Sequence, residues 1–201
     1  MTDSRDREDD LRRLVAMSAA FAAFLDSGAP YRELAVALPG GGMRRGTLSV
    51  GLLLDLLEGL GRDRSLLSPD QRARLDAAAA AVGKQRASRR DAYVGVLLRE
   101  LRGQLDAWRW YLDECLAEDG ECAESYPDEA GKRTRIEQLL DEADRLGACV
   151  APERERLSRL DARLRAAWRS GPYVGPTGAG DRHPAPRHWW LYGRPAPQRG
   201  R

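Results

Sequence analysis

Hydrophobic residues recur at three- and four-residue steps through most of this chain, the spacing of a helix that buries one face. The clearest case is a first predicted helix over Thr2–Asp26, which opens on acidic residues as the helix dipole favours. No convincing alternation of apolar and polar residues indicates a strand. The pattern therefore predicts an all-α fold in which five to six helices form one bundle.

Capping and helix-breaking residues bound the other predicted helices. Ser68-Pro69-Asp70 is typical of a helix start, with a capping hydroxyl, a proline and an acid in the first turn. Charged residues enter the apolar stripe near Gly83–Ser88, so we expect a break or kink there. The following helix, Asp91–Ala117, is the predicted long central helix. The other predicted helices are Tyr31–Leu38, a helix that is capped by Thr47 or Ser49 and ends near Leu60, Asp128–Leu146, and a helix that begins at Pro152. Pro39–Gly42 is predicted to be a flexible connection.

The helical periodicity stops at Ser170, and glycine and proline become frequent up to Arg201. Proline fixes its backbone and lacks an N–H, so this segment predicts an irregular tail. We expect two parts, a bundle over residues 1–169 and a tail over 170–201 that docks on the bundle or on a partner. The tail carries five arginines and one aspartate, whereas the whole chain has a net charge of +2. Electrostatic partners are therefore sought first at the tail.

Cysteine content and the apolar runs bear on the compartment. Three cysteines, Cys115, Cys122 and Cys149, are an odd number, which favours free thiols in a reducing compartment. The acidic first residues do not fit a secretory signal. The apolar runs Leu14–Leu25 and Leu48–Leu57 are too short to span a bilayer. We expect a cytoplasmic protein that does not contact a membrane.

The motifs of common enzyme classes are missing from the sequence. The two histidines, His183 and His188, both lie in the tail, which disfavours a histidine-based nucleophilic site. The glycine-rich stretch Gly40–Gly46 lacks the lysine of a phosphate-binding loop. Neither the acids nor the cysteines have the spacing of a calcium loop or a zinc site. We therefore expect no catalytic residue, no cofactor and no metal site.

A cluster of aromatic and basic residues in the tail is the predicted partner-binding site. Adjacent tryptophans with a tyrosine and flanking arginines are typical of interface anchors. Eight acids and no base lie between Asp113 and Glu129 and could supply the opposite charge. Our hypothesis is that the two tryptophans occupy an apolar groove while Arg187 and Arg194 face these acids. The predicted partner-binding residues are Arg187, Trp189, Trp190, Tyr192, Arg194, Asp113, Glu114, Glu118 and Asp119.

Three uses of the tail stay open: docking on its own helices, docking on another copy or another protein, and stacking on nucleic-acid bases. The leading functional prediction is a non-enzymatic scaffold, adaptor or assembly subunit that self-associates or binds a protein through its tail. An alternative is a nucleic-acid-associated regulator that uses Arg44, Arg45, the basic patch at 84–90 and the tail. A third is an enzyme with a buried carboxylate such as Glu100.

Overall fold

The computed structural model describes residues 4–38, 40–117, 125–175, 180 and 183–196. These residues form six α-helices and two antiparallel sheets of two strands each. The predicted, mostly helical class is confirmed. The chain divides into two compact units, unit 1 (Met1–Glu100) and unit 2 (Leu101–Arg201). Their boundary falls within a helix, so each unit contains one part of it.

Four of the six helices begin at a capping serine or a proline. Ser68 forms a capping box, in which its hydroxyl accepts from the Gln71 N–H at 3.2 Å and its own N–H donates to the Gln71 side chain at 2.9 Å. Ser49 accepts from the Leu52 N–H at 3.3 Å and caps the second helix. The helices are α1 (Ser4–Ser27), α2 (Val50–Arg62), α3 (Pro69–Ser88), α4 (Arg90–Cys115), α5 (Tyr126–Arg145) and α6 (Ala151–Ala166).

The predicted break before the long helix is confirmed. Arg89 leaves the helical region with φ −129° and ψ 41°, and it separates α3 from α4. With 26 residues, α4 has the length expected of the central helix. After α5, Gly147 adopts the left-handed conformation that often ends a helix, with φ 65°.

A β-hairpin replaces the helix predicted over Tyr31–Leu38, so that prediction is wrong. Strand β1 (Arg32–Ala37) pairs with β2 (Met43–Leu48) in antiparallel register. The physical reason lies in the three glycines Gly40–Gly42, which adopt φ values of 86°, 87° and 119° that other residues rarely reach. They turn the chain tightly, and the hairpin packs against α1 and buries Val36 and Leu48.

The tail is only partly irregular, and the prediction that the chain has no strands is also wrong here. Strand β3 (Trp168–Tyr173) pairs with β4 (Tyr192–Pro195), which follows a short 3-10 turn over Trp189–Leu191. Gly193 permits this pairing because it has a φ of 149°, and a Cβ at this position would collide with the carbonyl oxygen of Arg169. Glycine here serves close strand contact rather than flexibility.

The cysteines do not all stay free. Cys115 is disulfide-bonded at the end of α4, whereas Cys149 is an exposed free thiol. The expectation of free thiols is therefore wrong for Cys115. An odd number of cysteines requires at least one unpaired thiol, but it does not require every cysteine to be reduced.

Each unit has its own apolar core. In unit 1 the buried face of α1 includes Leu11, Leu14 and Phe21, and the Phe21 ring meets the edge of Tyr93 with 6.1 Å between centroids. In unit 2 Trp108 is fully buried, and its ring stacks on Tyr111 at 5.5 Å. Every described helix is too short or too polar to cross a bilayer.

Candidate functional site

Trp190, a predicted partner-binding residue, lies inside unit 2 and is 1% exposed. Its indole N–H donates to the Thr134 hydroxyl at 3.0 Å, and its carbonyl accepts from the Tyr126 hydroxyl at 2.6 Å. Burial raises the pKa of Tyr126, so this phenol stays protonated and keeps donating. The Trp190 side chain is thus held by α5 rather than presented to solvent.

Two arginines stack on the tail tryptophans. The Arg133 guanidinium lies 3.8 Å from the Trp190 ring centroid, and Arg165 lies 3.7 Å from that of Trp189. Arg133 is itself buried and donates to both carboxylate oxygens of Asp161 at 2.9 and 2.8 Å. A planar guanidinium can form this fork and still offer its face to an indole. The contact joins α5, α6 and the tail.

Arg187 contacts acids other than the predicted ones. It pairs with Asp141 and approaches Glu137 at 3.7 Å, both on α5, whereas the hypothesis placed it against the acids at 113–129. The physical reason is that Trp190 fixes the tail beside the middle of α5, where these two carboxylates lie on the surface. Arg194 is exposed on β4.

Tyr192, also predicted to bind a partner, turns back toward the tail. Its hydroxyl donates to the carbonyl oxygen of His183 at 2.8 Å, and its ring lies 5.3 Å from that of Tyr173. The tail side chains therefore contact each other and the helices of unit 2.

The acidic half of the predicted site is divided. Asp113 pairs with Arg109, one helical turn before it, at 3.5 Å and with Arg163 of α6 at 2.8 Å, so one of its two partners is distant in sequence. Glu114 is exposed on α4. Glu118 and Asp119 lie outside the described residues.

The two histidines lie together in the tail, with 4.7 Å between ring centroids. His188 is 9% exposed, and its Nδ1 is buried without a hydrogen-bond partner among the described residues. Burial lowers the pKa of His188, and the charge of Arg187 lowers it further. The histidine is therefore held in its neutral form.

Glu100, the candidate for a buried catalytic acid, caps a helix. It is fully buried, and its carboxylate accepts from the Ser49 hydroxyl at 2.9 Å and from the Val50 N–H at 2.7 Å. The Gly51 N–H adds a further bond at 3.1 Å. These donors form the N-terminus of α2, where negative charge is favoured. The geometry gives Glu100 a structural task that sequence spacing does not indicate.

The basic patch at 84–90 is partly engaged within unit 1. Arg86 lies 4.9 Å from the Tyr93 ring centroid, and Arg89 pairs with Asp26 of α1. Lys84 and Arg90 are exposed. The patch is thus less available to phosphates than its sequence suggests.

A cleft in unit 1 is the site that sequence reasoning missed. It lies among α1, the hairpin and α2, and it has a volume of about 420 Å3. Its apolar lining comes from Met17, Leu34, Val36, Leu52 and Leu56, three of which are partly exposed. This size is within the usual range of ligand sites. We call it the hairpin cleft.

Arginines border the hairpin cleft. Arg13 of α1 lines it together with Arg44 and Arg45 of β2, and Asp55 is the acid of the lining. Arg13 is 3.9 Å from Asp10. Burial raises the pKa of Asp10, and the nearby charges of Arg13 and Arg44 oppose this rise. The net charge of the border is positive.

The arginines of β2 differ from most others in the chain. Within the described ranges, neither Arg44 nor Arg45 forms an ion pair. Many other arginines among the described residues are ion-paired, as in the two-bond pair of Arg64 with Asp76 and the pair of Arg74 with Glu8. The cleft thus combines partly exposed leucines with two arginines that form no direct ion pair among the described residues. The sequence signal was the Arg44-Arg45 pair, but its apolar surroundings come from three separate elements.

The described side chains form no group of three or more His, Cys, Asp or Glu that could hold a metal ion. Comparison with protein-family models, characterised proteins and solved structures gives no match, so the structure itself is the basis for arguing function.

Proposed function

We propose that this chain is a non-enzymatic interaction protein, and that unit 1 binds an acidic, partly apolar segment of a partner protein in the hairpin cleft. The observation that carries the proposal is the juxtaposition of Arg44 and Arg45 with the partly exposed Leu34, Leu52 and Leu56. Apolar side chains would cover the leucines, and carboxylates would compensate the arginines.

The tail has a different task in this proposal. Because Trp190 and Leu191 are buried in unit 2, the tail is a structural part of that unit, and a partner would contact only its exposed residues, such as Arg194. The predicted self-association and the packing of all helices into one bundle stay predictions. A light-scattering mass of the full chain tests the first.

Binding of designed peptides to the full chain tests the proposal. Two fluorescein-labelled peptides of twelve residues have the same composition of leucine and glutamate. In the first peptide the two residue types alternate, and in the second they are spaced as in an amphipathic helix. We expect at least one to bind in a fluorescence anisotropy titration, and a peptide with lysine for glutamate to bind at least about tenfold more weakly. Equal binding of the lysine peptide would contradict the proposal.

Two charge variants locate the site. Replacing Arg44 and Arg45 with glutamine removes two charged contacts and should weaken peptide binding about tenfold or more. The matched control replaces Lys84 and Arg90, two exposed bases of the same unit, and should leave affinity within about twofold. Equal losses in both variants would mean that only the general charge of unit 1 matters.

The same variants address nucleic acid, the alternative function. A 20-base-pair DNA duplex and a single-stranded RNA of the same length serve as probes under increasing salt. Binding tighter than that of either acidic peptide, with a steep salt dependence, would favour the alternative. The leucine floor of the cleft favours the protein partner, because apolar side chains can cover it and phosphates cannot.

A further inference from the structure

We infer that the partner segment binds as an extended strand added to the free edge of β2. This inference rests on the proposed function and specifies the form of the partner. The sheet of unit 1 has two strands, β1 and β2, and no other described strand pairs with either. Each strand therefore has an edge whose backbone N–H and C=O groups lack a strand partner.

The lining of the hairpin cleft shows which edge borders it. Four consecutive residues of β2, Arg44 to Thr47, line the cleft. Side chains of a strand alternate between its faces, so a cleft against one face would be lined by every second residue. The lining of β1 does follow that rule, with Leu34 and Val36. The hairpin cleft therefore lies against the inner face of β1 and along the edge of β2.

Gly46 lets the apolar side chains of β1 pack close against β2. It is paired directly with Leu34, and a Cβ built on it would lie 3.2 Å from Val36 Cγ2 and 3.4 Å from Leu34 Cδ1. Leu34 itself stays partly exposed at this position. An apolar side chain of an added strand can pack against the exposed part of Leu34, as cross-strand neighbours do.

Charge determines the kind of strand. Arg44 shares the inner face of the hairpin with its register partner Val36, and Arg45 is on the outer face with Ala35. A strand that alternates apolar and acidic residues would direct apolar side chains toward Leu52 and Leu56 and leave carboxylates for Arg45. The edge of a second copy of this chain would bring its own Arg44 and Arg45 close to these, which like-charge repulsion disfavours.

Backbone methylation of the alternating peptide tests strand addition. Successive residues of a strand direct their N–H groups to opposite edges, so N-methylating every second residue blocks one edge and leaves the other. We expect one of the two methylation patterns to weaken binding by about 30-fold or more, and the other to leave affinity within about threefold. Each pattern is the control for the other.

A variant of the cleft gives a second measurement. Leu56→Glu places a negative charge against the apolar side chains of the added strand and should weaken binding at least about tenfold, whereas Leu66→Glu, at a leucine that is 62% exposed, should not. Circular dichroism verifies that both variants keep their helical signal. A Leu56→Glu variant that binds the alternating peptide normally would refute this location.

The outcomes separate the inference from the function on which it rests. If only the helically spaced peptide binds, or if both methylation patterns bind like the parent, the cleft takes a different form of peptide and strand addition is wrong. If neither acidic peptide binds, the proposed function fails as well. A concentration-dependent doubling of mass that Arg45→Glu changes would instead assign this edge to a second copy of the chain.

Discussion

Replacing Trp190 with alanine is the sharpest test of how the tail is built into unit 2. The substitution removes an indole that is 1% exposed, the hydrogen bond to Thr134 and the surface on which Arg133 stacks. Arg133 keeps its fork to Asp161 but loses the ring that covers its face. The tail would then be attached through fewer contacts, and the pairing of β3 with β4 should weaken.

The structure sets the size of the effect. Truncation of a fully buried tryptophan to alanine costs about 3–5 kcal/mol, because the cavity it leaves adds to the lost apolar burial. Trp190→Phe keeps most of the buried ring and removes the indole N–H, so it should cost about 1–2 kcal/mol. The free energy of unfolding of a domain is only about 5–15 kcal/mol, so the alanine substitution removes a large part of it.

Urea unfolding of the full chain, followed by circular dichroism, measures these losses. The matched control is Trp110→Ala, since Trp110 is 64% exposed on α4 and should cost within about 0.5 kcal/mol. Hydrogen exchange read by mass spectrometry adds the location. The amides of Trp168–Tyr173, which pair with β4, should exchange faster in the Trp190→Ala variant than in the parent. In the Trp110→Ala control their exchange should be unchanged.

Two results would refute this reasoning. Equal unfolding midpoints for Trp190→Ala and Trp110→Ala would show that Trp190 is not buried in solution. Unchanged exchange over β3, together with a large loss of stability, would show that Trp190 stabilises the helices but not the sheet.

Three further predictions follow from single groups. Folding lowers the pKa of His188, so as the pH falls the unfolded chain is protonated at this histidine before the folded chain is. Stability should therefore decrease as the pH falls below about 6.5. The difference between the urea midpoints at pH 7.5 and pH 5.5 should be smaller for His188→Gln than for the parent. Glu100→Gln places an amide among backbone donors and should cost about 2–4 kcal/mol in urea unfolding, whereas Glu114→Gln, at an exposed acid, should cost almost nothing. A thiol-reactive dye under denaturing conditions should count one thiol per chain, Cys149, before reduction and three after it.

Helix starts could be predicted because the groups that determine them are local. The side chains of Ser68 and Gln71 bond each other's backbone N–H within one turn, so four consecutive residues of the sequence determine this helix start. The break at Arg89 is similarly visible, since charges interrupt the apolar stripe beside it. The same local view fails for β1, whose strand form depends on the turn at Gly40–Gly42 and on packing against α1.

The place of the tail could not be predicted, because its contacts are distant in sequence. Thr134 and Tyr126, which bind Trp190, precede it by 56 and 64 residues. The aromatic and basic residues of the tail indicated that it would dock. The same composition, however, fits docking on its own helices, on a partner protein or on nucleic-acid bases. Only the fold shows that α5 supplies a hydroxyl, a phenol and a guanidinium at the right spacing.

Charge density in the sequence is a poor guide to binding because pairing is long-range. The tail arginine Arg187 is compensated by Asp141, 46 residues away, and Asp113 in the acidic stretch is compensated by Arg163. Part of the charge in these two stretches is therefore neutralised by ion pairs within the folded chain. Arg44 and Arg45 belong to a net-negative part of the sequence, yet they form no direct ion pair among the described residues and lie beside partly exposed leucines. A surface attracts a partner through charges left over after folding, and the sequence alone does not distinguish these from paired ones.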